Sequence, residues 1–166
     1  MHSKKLNTPL GVLHLFADNS GLHRIVFPAS ASEFPEVDSA LEEHPVLTQA
    51  TTQLTEYFNG SRQHFDLPLP QKGTAFQQAV WKYIAQIPYG ETRSYGAIAA
   101  KLGNRNKARA VGGAANKNPL PIVIPCHRVV GNSGRLTGFS GGLARKQFLL
   151  ILETKRVQVA EKPSDT

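Results

Sequence analysis

Ser94-Tyr95-Gly96-Ala97-Ile98-Ala99-Ala100-Lys101-Leu102-Gly103-Asn104-Arg105-Asn106-Lys107-Ala108-Arg109-Ala110-Val111-Gly112-Gly113-Ala114-Ala115 is the stretch whose reading fixes the fold class of this chain. Ser94 is suited to cap a helix, because its hydroxyl can accept from the unpaired N–H groups of a first turn. Residues 95–102 then read as one helix, Gly103 as the turn and residues 107–115 as a second helix. Two short helices joined at a glycine form a helix-turn-helix, a unit that sets one helix against a nucleic-acid groove. The second helix has little bulk: Ala108, Ala110, Gly112, Gly113, Ala114 and Ala115 leave Arg109 projecting alone. Such a backbone can approach a partner closely, or it can pack tightly inside a core. Arg109 favours DNA as the partner.

Working outward, Phe76, Val80, Trp81, Ile84 and Ile87 mark one face of a preceding helix, with Thr74 as its cap and Pro88 as its stop. The opening of the chain reads as a hairpin, residues 12–17 and 22–28 around the turn Asp18-Asn19-Ser20-Gly21. Residues 29–45, rich in Ser, Pro and acids, read as a loop, and residues 46–58 as a helix closed by Gly60. A weak strand over 64–70 leads to the joint Gln71-Lys72-Gly73. The expected fold is α+β: a small N-terminal sheet-and-helix domain over residues 1–70, then a mostly helical domain over 71–166 that carries a winged helix-turn-helix.

The chain has 166 residues, 40% hydrophobic and 19% charged, with 14 Gly and 11 Pro. That balance describes a globular chain and excludes disordered and collagen-like ones. No apolar run approaches the roughly 18 residues of a membrane-crossing helix, and Met1-His2-Ser3-Lys4-Lys5 leads into no signal-like segment. A cytoplasmic location is expected. One cysteine excludes an internal disulfide and a multi-thiolate zinc site, and the six histidines include no pair within five residues. Neither metal nor cofactor is expected.

Charge is distributed unevenly. Residues 1–92 hold six basic and nine acidic side chains, whereas residues 93–156 hold twelve basic ones and a single acid, Glu153. A segment that repels itself this strongly is most simply matched by a polyanion, whose phosphates would neutralise it and release counterions.

Within that segment, Leu120-Pro121-Ile122-Val123-Ile124-Pro125 reads as a buried extended run delivering Cys126-His127-Arg128. A lone cysteine on an apolar run is commonly an inert buried thiol. Pro125, the charge beside the sulfur and the basic surroundings point instead to a nucleophile. An ordinary thiol, with a pKa near 8.5, is only about 3% thiolate at pH 7, so a base is needed. Neighbours in an extended chain face opposite sides, so His127 can serve Cys126 only if the backbone turns or a water bridges them. Glu153 is the acid available to orient the imidazole. Pairing of Glu153 with Lys155 or Arg156 at the surface is the other reading.

Ile124-Pro125-Cys126-His127-Arg128-Val129, preceded by Ala108-Arg109-Ala110-Val111-Gly112-Gly113 and Asn118-Pro119, resembles the O6-alkylguanine-DNA alkyltransferases, also called methylated-DNA-protein-cysteine methyltransferases. The resemblance runs in order through Pro88-Tyr89-Gly90, Ser94-Tyr95 and Ser140-Gly141-Gly142 to Glu153. The first seventy residues resemble that family in layout alone, a ribonuclease H-like sheet and helix. The resemblance implies direct repair of duplex DNA. The alkyl group of O6-alkylguanine, and of O4-alkylthymine, would pass to Cys126 in one irreversible turnover, after the base is flipped through the minor groove.

On the same resemblance, Glu153 and His127 would activate the thiol through a bridging water, and Asn118 would brace the turn. Tyr95 would crowd the phosphate and donate a hydrogen bond to the departing guanine, and Arg109 would fill the gap in the stack. Ser94, Asn104, Ala108, Ala110, Gly112 and Arg128 would join Tyr95 and Arg109 on DNA. Val129, Phe139, Ser140, Gly141 and Lys146 would line the base pocket. Phe139 stands where many relatives carry Tyr, which keeps a stacking surface and drops a hydroxyl. The implied partner is double-stranded DNA holding O6-alkylguanine, met by a monomer, with cooperative binding left open.

Two other readings compete. Gly138-Phe139-Ser140-Gly141-Gly142 fits the G-x-S-x-G pattern of serine hydrolases, but that fold places its histidine after the serine, and all six histidines here precede Ser140. A non-enzymatic winged-helix DNA binder would use the same basic face, and methyl transfer to Cys126 separates the two.

Overall fold

The computed structural model describes residues 1–28, 43–70, 72–139 and 141–161, the last six for their backbone alone. Most of the loop expected over 29–45 lies outside the described residues. The chain divides after Gln71 into two compact units.

In the first unit, strands β1 (His2–Thr8), β2 (Gly11–Asp18) and β3 (Gly21–Val26) form an antiparallel sheet in chain order. Alternation along β2 sends Leu13, Leu15 and Ala17 inward, a register shift in the pairing with β3 brings Leu22 opposite Ala17 and Ile25 opposite Leu15, and helix α1 (Pro45–Asn59) packs against all three strands. Pro45 opens α1, the His44 side chain accepts from the Val46 N–H, and Gly60 closes it in the left-handed conformation at φ 86°. Strand β1 extends the expected hairpin by one strand. Its Ser3-Lys4-Lys5 segment has little strand character, and it forms because β2 pairs with all of it, from His2↔Ala17 to Thr8↔Gly11.

The strand expected over 64–70 is absent. Pro68 and Pro70 lack the N–H groups a ladder requires. The Gln53 amide instead clamps Asp66, donating to its carbonyl at 2.9 Å and accepting from its N–H at 2.9 Å, while Leu22 N donates to Pro68 O at 2.9 Å.

The second unit contains α2 (Ala75–Ala85), β4 (Arg93–Ser94), α3 (Tyr95–Lys101), α4 (Ala108–Asn116), β5 (Val129–Val130) and α5 (Leu143–Glu161). Thr74 and Gln77 form a reciprocal capping box on α2. Ser94 caps α3 by accepting from Ala97 N at 3.0 Å. A single 3-10 turn, Arg105–Lys107, whose entry Asn104 caps through Asn106 N, leads into α4. The small residues of α4 lie on two faces, one packed in the core and one exposed. Val111, Ala114 and Ala115 are buried, with Trp81 Nε1 donating to Ala114 O at 2.8 Å, whereas Arg109, Ala110 and Gly113 are exposed.

Residues 120–125 are buried as expected but are not extended. They form a turn closed by Ile124 N donating to Leu120 O at 2.9 Å, with Ile122 at φ 75°. A β-branched residue there is strained by about 1–3 kcal/mol. Asn118 holds the turn in place: its amide donates to Ile124 O at 2.8 Å and its oxygen accepts from Leu120 N at 2.9 Å. Beyond the turn, β5 pairs in parallel with β4, Arg93↔Val129 and Ser94↔Val130. That pairing brings Tyr95, at the head of α3, alongside the segment that carries Cys126. Among the described residues, no helix is long and apolar enough to cross a membrane.

Candidate active site

Cys126, His127 and Arg128 occupy a single 3-10 turn, with Arg128 N donating to Pro125 O at 2.9 Å. The backbone therefore turns where a cysteine–histidine pairing needs it to. His127 is fully buried, and its Nε2 lies 2.7 Å from Glu153 Oε2. Glu153, 1% exposed on α5, also accepts from Arg128 Nε at 2.8 Å, Arg128 Nη2 at 3.0 Å and Gly90 N at 3.2 Å. Burial pushes the Glu153 carboxyl up. The hydrogen bonds and charges of His127 and Arg128 outweigh that push and hold it at about 2.

Burial dominates His127 and drives its pKa below the ordinary imidazole value, against the pull of Glu153. At neutral pH the pair is thus a carboxylate and a neutral imidazole. A carboxylate only accepts, so the proton between them sits on Nε2 and leaves Nδ1 bare. That Nδ1 is buried and has no hydrogen-bond partner among the described residues.

Cys126 is 6% exposed. Desolvation raises its thiol to about 11, and the Asn118 hydrogen bond and the Lys146 charge offset this only in part. The basic surroundings read in the sequence therefore do not make a resting thiolate. Arg128 is neutralised by Glu153, His127 is uncharged, and Lys146 is the cation that acts on the sulfur. Burial also lowers Lys146, to about 8. Its Nζ donates to Thr137 O at 2.7 Å and lies 5.8 Å over the Tyr95 ring, whose hydroxyl donates to the same carbonyl at 3.2 Å.

Arg128 departs from the sequence reading. Instead of facing a phosphate it is 5% exposed, forked onto Glu153, donates to Ile87 O at 2.6 Å and lies 5.6 Å over the Tyr89 ring. A guanidinium next to a buried carboxylate gains more from two charge-assisted hydrogen bonds than from solvent.

An open cleft of about 330 Å³ runs between the small face of α4 and the loop after β5, and Cys126, His127 and Glu153 are not among its lining residues. Tyr95, Ala108, Arg109 and Gly112 line it together with Gly96, Asn116, Asn132, Thr137 and Gly138. Of the other residues expected at DNA, Ala110 and Asn104 are exposed, and Ser94 spends its oxygen on the α3 cap. Of the expected pocket residues, Val129, Gly141 and Lys146 are buried, Phe139 is half-buried, and Ser140 lies outside the described residues. Asn116, Asn132 and Thr137 were not anticipated, since neutral polar residues on a helix end and a loop have no spacing signal. Among the described residues, no group of three His, Cys, Asp or Glu side chains is placed to hold a metal ion.

Two family models match the chain. The ribonuclease-like domain of 6-O-methylguanine DNA methyltransferase covers residues 1–71, and the DNA binding domain of the same family covers residues 75–155. The chain belongs to the 6-O-methylguanine DNA methyltransferase family. A methylated-DNA–protein-cysteine methyltransferase of Methanosarcina acetivorans is 43% identical over 153 residues, 92% of this chain and 98% of that protein. The constitutive enzyme of that name from Bacillus subtilis is 44% identical over 161 residues, 93% of this chain and 95% of that protein. Among solved structures, Mycobacterium tuberculosis OGT in complex with DNA matches with a TM-score of 0.83 and 43% identity, over 94% of each chain. As a member of this family the chain is a methyltransferase with an α+β fold, and the Cys126-His127-Glu153 cluster lies within the segment matched as the DNA binding domain.

Proposed function

We propose that the protein repairs duplex DNA by moving the alkyl group of O6-alkylguanine, and of O4-alkylthymine, to Cys126. The observation that carries this reading is a buried thiol beside an imidazole–carboxylate pair, in the same unit as a cleft lined by Tyr95 and by Arg109 on a helix face stripped of bulk. The target carbon is out of reach in stacked DNA, so the base is flipped out through the minor groove. Unstacking costs a few kcal/mol, and the Arg109 side chain offsets part of it by filling the gap.

At the sulfur, a thiol held near 11 is almost fully protonated, so reaction requires proton removal at the moment of attack. His127 serves as the base from its bare Nδ1, through a water, and Glu153 stabilises the imidazolium that results. The Sγ–C bond forms as the C–O6 bond breaks, and the electron pair goes to the purine. The leaving guanine is steadied by a hydrogen bond from Tyr95, and the proton lost by Cys126 is balanced by the one guanine gains. The product is a thioether. No second cysteine stands in the chain to remove the alkyl group, so each molecule acts once.

The test is intact-mass analysis after incubation with a duplex carrying O6-methylguanine. One added methyl per protein, mapped to Cys126 and absent in Cys126→Ala while DNA binding persists, is the expected result. DNA binding with no mass gain in the unmodified chain would leave a binder and reject the transfer.

A further inference from the structure

The base assigned to His127 works only if the imidazole rests neutral, with its proton on Nε2. Nothing in an isolated histidine–glutamate pair guarantees that. A buried carboxylate with no other counter-charge draws a proton, either onto itself or onto its imidazole partner, and both outcomes fill the site that must stay empty.

We infer that Arg128 is a positioning residue which sets the resting proton arrangement of this site, supplying the permanent buried counter-charge that lets Glu153 stay ionised while His127 stays neutral with Nδ1 free. The inference rests on the proposed transfer to Cys126 and goes beyond it. Its geometric basis is the fork of Arg128 onto both carboxylate oxygens, Nε on Oε1 at 2.8 Å and Nη2 on Oε2 at 3.0 Å. The Gly90 N–H completes Oε1 at 3.2 Å, so Oε2 is left to accept from His127 Nε2. Arg128 is itself fixed by Ile87 O and the Tyr89 ring, which keeps it off the thiol. An arginine cannot lose its proton, so the compensation holds at every accessible pH.

Among the described residues, the charged groups that act on His127 are Glu153 and Lys146 from α5 and Arg128 from its own turn, where Cys126 is its titratable neighbour. The buried face of α2, Val80, Trp81 and Ile84, contributes none. Glu153 draws a proton toward His127, whereas Arg128 and Lys146 oppose it. Lys146 donates to the Thr137 and Gly138 carbonyls and touches neither member of the pair. Arg128 is therefore the cation that decides the balance. Removing its charge turns the pair toward carboxylate and imidazolium, and a protonated His127 cannot accept from the thiol.

Nitrogen-15 NMR of His127 in the full, unalkylated chain tests this directly. The expected spectrum at pH 7 is that of a neutral ring protonated at Nε2. An imidazolium, or a ring protonated at Nδ1, overturns the inference with no variant required. The second measurement is the pH profile of single-turnover methyl transfer to an O6-methylguanine duplex. In Arg128→Met the acid limb should move up by one pH unit or more, with Arg128→Lys between Met and the parent. A rate lowered equally at every pH would mean that Arg128 acts only as packing, and would sink the assignment. Should Arg128→Met fail to fold, the spectrum of the parent and the Arg128→Lys profile still decide. Absence of any methyl transfer by the parent would reject the proposed function instead, and the NMR result would stand on its own.

Discussion

The thiol of Cys126 should be almost inert until DNA arrives, and the depth of that dormancy can be measured. With its pKa near 11, about one molecule in ten thousand carries the thiolate at pH 7, roughly 300-fold fewer than for a free cysteine near 8.5. Iodoacetamide adduct formation, followed by intact mass, reports that fraction. The chain has one cysteine, so each adduct marks Cys126. Restricted access at 6% exposure scales all the rates together, but the slope against pH still reports ionisation. The rate should rise about tenfold per pH unit from 7 to 10 and level near 11, with circular dichroism confirming the fold throughout. Lys146 sharpens the test, because its charge lowers the thiol and is itself lost near pH 8. Lys146→Met should slow alkylation below pH 8 and converge with the parent above it. A plateau near 8.5 in the folded protein would refute the desolvated thiol, and with it the need for His127 as base.

Asn118→Ala removes both Asn118 hydrogen bonds to the Ile122 turn and leaves Leu120 N buried without its partner, while Ile124 O keeps the Cys126 N–H at 2.7 Å. A loss of about 1–3 kcal/mol in urea unfolding is expected, together with slower transfer, and a loss below about 0.5 kcal/mol would show that the turn is held by something else. Arg109→Ala should slow repair of a duplex far more than reaction with the free O6-methylguanine base, because a free base leaves no gap to fill. Equal losses on both substrates would remove that role. Acid should destabilise the second unit. The folded pKa values of His127 and Glu153 both lie below their ordinary 6.5 and 4.5, so the unfolded chain binds these protons more readily. Their stabilisation is full above about pH 6.5 and is lost as pH falls, first through His127 and then through Glu153 between about 4.5 and 2. Thermal melts that stay level from pH 7 to pH 4 would contradict this.

The elements legible in the sequence are those whose signals are local. Ser94, Gly103 and the stripe of small residues mark α3, its turn and α4 within two dozen positions, and Thr74 marks the start of α2. Glu153 was found by elimination as the single acid of a basic segment, 26 residues from His127. Arg128, which the family resemblance implies at DNA, is buried instead. In a basic segment a phosphate is the natural partner for an arginine, and only the tertiary fold shows a buried carboxylate 25 residues along the chain. Strand β1 and the Ile122 turn were missed because each is imposed from outside, the first by pairing with β2 and the second by the Asn118 amide. The cleft wall was half seen. Its α4 side follows helical spacing, whereas Asn132 and Thr137 reach it on a loop without period.

The geometry also accounts for a reactive site that is quiet at rest. Burial of the sulfur and its activation work against each other, since the same loss of water that raises Cys126 to about 11 would make a thiolate, once formed, a poorly solvated and forceful nucleophile. A thiol lowered permanently by a neighbouring imidazolium would react with any small electrophile, and a chain that acts once would be consumed by it. Pairing Arg128 with Glu153 withholds that imidazolium until a proton moves. Tyr95 and Lys146 both donate to the Thr137 carbonyl at the edge of the cleft, so the cation that acts on the sulfur is held by the same backbone group as the phenol expected to serve the leaving base.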